Sequence, residues 1–349
     1  MSPRLVHVLT VADSLLFIDT VVRRAKERGF DVTVITSPDE RLTAFGRRLG
    51  VDTVGVEMPR RVSPLGDWVA LQRLRRVFER LRPDVVHAGT PKGGLLGMLA
   101  ADACGVPVRL YQMRGLAYVT AKGVLRAVLQ TTERVSCRAA THVICQSRSL
   151  HAQALAEGLV TAARSEVVLE GSNGVDASGR FSPARHREAG RALRRSLGIA
   201  GDEVVFGFVG RLVRDKGIPE LAAAFRQLAA EHPRVRLVVA GPFEPRDPVP
   251  PEVRAWLEGE PRVHLLGAVK DPGPVYAASD AIVLPSHREG FPNVPLEAAA
   301  MGLPVVSTRV PGCSDAVVDE VTGLLVPVDD ASSLCAAMAR YLEPALRAK

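Results

Sequence analysis

Two prolines three residues apart limit what the chain can form between Ala281 and Thr308. An apolar run, Ala281-Ile-Val-Leu-Pro285, stops at a polar turn that begins at Ser286. A second apolar run, Leu303-Pro-Val-Val-Ser307, follows Gly302. Pro292 and Pro295 fit one intervening helix only if both stand in or beside its first turn, where a missing N–H costs little. The segment therefore reads as strand, turn, helix and strand, with the helix starting about Pro292. The free N–H groups of Asn293 and Val294 then point out of the positive end of the helix dipole. At the carboxyl edge of a parallel strand such an end is an anion site. Glu289 precedes it and Glu297 lies within the helix. Two carboxylates would repel a phosphate, so they are expected to accept hydrogen bonds from hydroxyls. A ligand with phosphate in its middle and hydroxyls at both ends is a nucleotide sugar.

The same alternation runs through the whole chain, which argues for parallel sheets covered on both faces. Strands are expected at Leu5–Leu9, Val32–Thr36, Thr53–Val56, Val85–Ala88, Val108–Tyr111, His142–Cys145 and Glu166–Leu169. After a polar, turn-forming and then charged stretch over Gly171–Asp202, they resume at Val204–Val209, Leu237–Ala240, Val263–Leu266, Ala281–Leu284, Val305–Thr308 and Leu324–Val326. The clearest helix carries Trp68, Leu71, Leu74, Phe78 and Leu81 at three- and four-residue steps. The fold class is therefore α/β, with two Rossmann-like domains facing a central cleft, 1–170 and 171–331. A length of 349 residues suits two domains. The five cysteines are scattered without a C-x-x-C pair, which reads as reduced thiols and no zinc site. No signal-peptide apolar region opens the sequence and no run approaches a membrane span, so a cytoplasmic protein is expected.

A pair of glutamates with seven residues between them is by itself a weak signal, because a solvated pair at a helix start is common. Its surroundings are specific: Glu289-Gly-Phe-Pro-Asn-Val-Pro-Leu-Glu297-Ala-Ala-Ala-Met-Gly302-Leu-Pro-Val-Val-Ser307-Thr308, and upstream Val209-Gly210-Arg211-Leu-Val-Arg-Asp-Lys216-Gly217. With both blocks the chain resembles the family 4 retaining glycosyltransferases of GT-B architecture, over nearly its whole length. The resemblance implies that Arg211 and Lys216 hold the diphosphate, Arg as a planar fork and Lys as a point charge. It implies that Glu297 accepts the ribose hydroxyls and Glu289 a hydroxyl of the donor sugar. The main chain of Gly290, Phe291, Asn293 and Val294 would contact sugar and phosphate, with Gly210 and the base-bordering Leu265 completing the donor set. It also implies that the last helix, from about Ser332, crosses back to the first domain. The reaction it implies is same-face substitution, in which the leaving phosphate takes the acceptor's proton and neither metal nor cofactor is needed.

The first domain is expected to present the acceptor. His87-Ala-Gly-Thr90-Pro-Lys92-Gly-Gly94 is a strand end leading into a helix, where His87 reads equally as a site residue or a satisfied strand-end histidine. The chain departs from the family twice. Val11-Ala12-Asp13-Ser14 stands where many members carry a Gly-Gly turn, and Arg114 precedes Gly115-Leu116 where many carry a histidine. Arg114 would then serve the diphosphate or an anionic acceptor.

The sequence thus reads as a retaining hexosyltransferase using a UDP-hexose or UDP-N-acetylhexosamine. Its acceptor would be a lipid-linked saccharide in surface-polysaccharide assembly, the branch that His87–Ala101 and Gly171–Asp176 resemble. A natural-product glycosyltransferase with a soluble acceptor, a nucleotide-sugar epimerase and a non-catalytic sugar-nucleotide binder are the alternatives. The net charge of +7 sits in the first half, where residues 1–170 hold 24 Lys and Arg against 16 Asp and Glu. Arginine-rich codon usage explains that as well as an anionic partner does. If functional, the surplus points to an anionic membrane face, with Arg60, Arg61, Arg73, Arg75, Arg76, Arg80 and Arg82 flanking the apolar stripe, and to peripheral attachment. Nucleic acid is not expected, since aromatics are only 5% and offer no stacking platform.

Overall fold

The computed structural model describes residues 2–347 apart from 60, 170, 172 and 173. Arg60 of the arginine series, and Ser172 and Asn173 of the connector, therefore lie outside the described residues. The chain divides into two compact units, Met1–Asn173 and Gly174–Lys349.

The first unit holds β1 (Arg4–Val8), β2 (Asp31–Thr36), β3 (Asp52–Gly55), β4 (Val85–Gly89), β5 (Val108–Met113), β6 (His142–Cys145) and β7 (Ser165–Val167). They form one sheet in the order β3-β2-β1-β4-β5-β6-β7, with every neighbour parallel. Such strands are buried on both faces and read as continuous apolar runs. One face packs Leu5, Ile18, Val22, Val34, Leu42 and Phe45; the other packs Leu74, Phe78, Leu96, Met98 and Tyr111. The order reverses between β1 and β4, so the crevice for a ligand opens beyond their carboxyl ends.

The second unit repeats the plan with β8 (Val204–Val209), β9 (Val235–Ala240), β10 (Val263–Gly267), β11 (Ala281–Leu284), β12 (Val305–Thr308) and β13 (Gly323–Val326), ordered β10-β9-β8-β11-β12-β13. Here the reversal falls between β8 and β11.

One expectation changes. In the helix Pro64–Leu81 the buried face is Ala70, Leu74, Val77 and Phe78, while Leu71 and Leu81 are half-buried. Trp68 is 61% exposed and Leu65 84%. Ala70 takes the contact position because it is small enough for close approach, and Trp68, off that face, is left in solvent. Ala331–Arg340 buries Leu334, Cys335, Ala337 and Met338 in the core of the second unit, and the short helix Pro344–Arg347 sends Leu346 to the same cluster. This apolar face packs within the second unit.

Candidate functional site

The loops leaving β8 and β11 touch. Gly217 has φ +68°, and a Cβ there would lie 1.9 Å from the Pro285 carbonyl oxygen, so only glycine fits. That contact sets Lys216, which ends the turn Arg214–Lys216, against Glu289, and the two side chains form a mostly buried ion pair. The Glu289 loop is strapped from behind. The His287 N–H donates to the Asp215 carbonyl at 2.9 Å, and Arg288 Nη2 donates to Asp215 Oδ2 at 2.6 Å. His287 Nε2 stands 3.1 Å from Glu220 and 3.3 Å from Asp329. Its pKa is raised, first by the Glu220 hydrogen bond, against the opposing effect of burial. Glu220, His287 and Asp329 bring possible ligand atoms within 4.8 Å of one another.

The helix after this loop is Asn293–Ala300, with Pro292 as its extended N-cap and no side chain capping it. The first-turn N–H groups at Asn293 and Val294 thus point outward at the carboxyl end of β11. Phe291 is buried. Gly312, at φ +82°, presses on Gly290, where a Cβ would come 2.4 Å from the Gly290 oxygen. Glu297, one turn into the helix, accepts a hydrogen bond from the Tyr276 hydroxyl at 2.5 Å. Burial raises the Glu297 pKa; the Tyr276 hydrogen bond and Arg180 oppose it. Gly210 directly follows β8, and Arg211 comes next. Arg211 Nη1 donates to Glu244 at 2.9 Å, and the guanidinium, 55% exposed, is paired away from Lys216. Leu265 stands on the edge strand β10, separated from β8 by β9, and packs partly into the core.

In the first unit the reversal point gathers His7, His87 and Arg114. His7 and His87 are register partners on β1 and β4, with ring centroids 4.9 Å apart. Gln112 Oε1 lies 3.2 Å from His87 Nε2 and 3.4 Å from Arg114 Nη2. The turn after β4 is pinned to β1: the Thr10 and Thr90 hydroxyls are 2.7 Å apart, and Gly93 N–H donates to Thr10 Oγ1 at 2.9 Å. Lys92 does not join this group. Its ammonium donates to Asp67 at 2.6 Å and to the Arg61 carbonyl, which ties the helix Pro91–Ala103 to the start of Pro64–Leu81. The nearby carboxylate claims the lysine, so it acts as a brace. Val11-Ala12-Asp13-Ser14 runs into a short 3-10 helix, Ala12–Phe17, in place of a glycine turn.

Sequence reasoning missed Tyr276 and His7. Tyr276 is 21 residues from Glu297 with no spacing that links them. His7 becomes a neighbour of His87 only because β4 inserts beside β1.

Residues 17–171 match the model of a glycosyl transferase 4-like domain, and residues 203–344 that of group 1 glycosyl transferases. The chain is 30% identical to the capsular polysaccharide biosynthesis glycosyltransferase CapM of Staphylococcus aureus, over 94% of this chain and 84% of that one. The chain belongs to the family 4 glycosyltransferases. This glycosyltransferase is also 28% identical to the UDP-Gal:alpha-D-GlcNAc-diphosphoundecaprenol alpha-1,3-galactosyltransferase of Escherichia coli, over 81% of its own length and 73% of that relative. Its fold matches that of HepE from Anabaena in complex with UDP-glucose. The TM-score is 0.79 at 21% identity, covering 99% of this chain and 91% of the other. The glycosyltransferase thus has the GT-B fold class, with two parallel-sheet α/β domains.

Proposed function

We propose that this glycosyltransferase moves a hexose or N-acetylhexosamine from a UDP donor, with retention, to a hydroxyl of a lipid-linked saccharide in surface-polysaccharide assembly. The observation that carries the reading is the reversal point of the second unit. It sets a lysine, two glutamates and an uncapped helix start around the carboxyl ends of β8 and β11. The UDP and diphosphoundecaprenol in the names of the relatives above agree with it, as does CapM's capsular role.

Breaking the bond between the sugar's C1 and the phosphate oxygen leaves charge on the diphosphate. Lys216, released from Glu289 by the donor, and Arg211, released from Glu244, are the cations to stabilise it, together with the N–H groups of Asn293 and Val294. Glu289, freed from Lys216, accepts a sugar hydroxyl, and Glu297, held by Tyr276, accepts the ribose hydroxyls. The acceptor oxygen bonds to C1 on the face the phosphate leaves, and its proton passes to the departing phosphate oxygen. No step in this scheme requires a metal ion.

No described helix is long and apolar enough to cross a membrane. Two helix starts at the carboxyl edge of the first sheet nevertheless expose apolar side chains among basic ones. Val62, Leu65, Trp68 and Val69 stand with Arg61 and Arg73, and Val124 and Leu125 with Lys122 and Arg126. This edge fits peripheral contact with an anionic inner membrane face.

A thermal-shift screen across nucleotide sugars tests the donor. Ligand that binds only the folded state raises apparent stability with concentration. A UDP-sugar should shift the transition; a panel in which no UDP compound does so would refute the donor assignment. UDP release without acceptor would instead favour an epimerase.

A further inference from the structure

The carboxyl ends of β1, β4 and β5 hold a mostly buried positive charge with no carboxylate partner among the described residues. His7 is 1% exposed, and its Nε2 has no hydrogen-bond partner among the described residues; neither does the buried Arg114 Nε. The neutral Gln112 oxygen is shared between His87 and Arg114. The guanidinium also lies 5.1 Å from the Phe17 ring, and a Cβ at Gly89 would sit 3.2 Å from Arg114 Nε. Removing a charge from water without a counter-ion is costly. Burial lowers Arg114 to about 10. Burial first, then the Arg114 charge, bring His87 down to about 4; burial, His87 and Arg114 together hold His7 well below its usual range. At neutral pH the two imidazoles are therefore uncharged and Arg114 carries the cluster's single positive charge.

An oxyanion resolves these deficits together. It supplies the missing counter-charge, accepts from the guanidinium, and makes protonation of the imidazoles favourable where it is now penalised. His87 and Arg114 are partly exposed and within its reach; His7 stands behind His87. The place is the reversal point of the first sheet, where an open α/β sheet accepts ligands. We propose that His87 and Arg114, backed by His7, form an oxyanion site for a phosphate group of the acceptor. It rests on the reading of a lipid-diphosphate acceptor and gives that acceptor's charge a seat in the first unit, separate from the donor cations Arg211 and Lys216.

The test follows the imidazole signals of His7 and His87 by nitrogen–proton NMR between pH 4 and 8, with saturating UDP present. Inorganic sulfate is the probe, a tetrahedral dianion with no titration of its own in that range, and acetate is the planar control. Sulfate should move both titration midpoints upward by about one unit or more, as an adjacent opposite charge does. Arg114→Gln should abolish the response and Arg114→Lys retain part of it, while both variants bind UDP like the parent. Histidine signals unmoved by sulfate in protein that binds UDP normally would overturn the site, and so would a response to acetate alone. Failure of UDP to bind would count against the donor assignment and leave the sulfate result to be read on its own.

Discussion

Lys216 and Glu289 form an ion pair across the two loops that leave β8 and β11. The residue proposed to hold the donor's diphosphate is thus matched, without donor, to the residue proposed to hold its sugar. Each keeps the other's charge satisfied in a mostly buried site.

Lys216→Ala should accordingly reduce kcat far more than it raises the donor KM, because its contact strengthens as charge develops on the leaving diphosphate. Loss of one such stabilising group costs on the order of 2.7–4 kcal/mol, roughly a hundred- to thousand-fold. Arg211→Ala should act in the same direction. Steady-state kinetics with varied donor provide the measurement; near-normal turnover in Lys216→Ala would remove the lysine from the mechanism.

The two glutamates should separate by ligand. Glu297→Ala should weaken UDP itself, whereas Glu289→Ala should spare UDP and harm binding of the whole sugar nucleotide. Calorimetric titration of both variants with both ligands decides this, and equal UDP loss would refute the division. A pH dependence accompanies it. Burial raises the Glu297 pKa, so the carboxylate proposed to accept ribose hydroxyls is lost at a higher pH than an ordinary glutamate would be. UDP affinity should fall as pH drops through that raised value. Because the Tyr276 hydrogen bond opposes the rise, Tyr276→Phe should move the midpoint further up.

Much of this was legible before the structure. The thirteen described strands lie in parallel sheets and mostly read as apolar runs between turn residues, so their positions followed within a residue or two. The helix start at Asn293 followed because Pro292 and Pro295 leave it no other place. What was hidden depends on pairing across distance. The Tyr276–Glu297 hydrogen bond, the His7–His87 contact and the capture of Lys92 by Asp67 each join residues that strand order or helix packing brings together. The Pro64–Leu81 stripe misled because Trp68 satisfies the helical step yet lies off the face that Ala70 and Val77 define.

The exposed apolar and basic edge of the first unit should give reversible, salt-sensitive attachment to anionic lipid, since each basic residue at such a surface contributes about 1 kcal/mol within a Debye length. Vesicle sedimentation should recover the protein with anionic but not neutral liposomes at low salt. Trp68→Ser with Leu65→Ser should weaken binding without altering UDP affinity. Equal recovery in the supernatant with both lipids would favour a soluble acceptor.

The most direct measurement is the anomeric configuration of the product. The protein would be incubated with an α-linked UDP-sugar, a saccharide on a lipid diphosphate and saturating EDTA, and the new linkage read from its proton coupling. The expected result is an α-linkage with one UDP released per bond formed and a rate unaffected by EDTA. A β-linkage, or transfer that stops when metal is removed, would contradict same-face transfer driven by Lys216, Arg211 and the helix at Asn293.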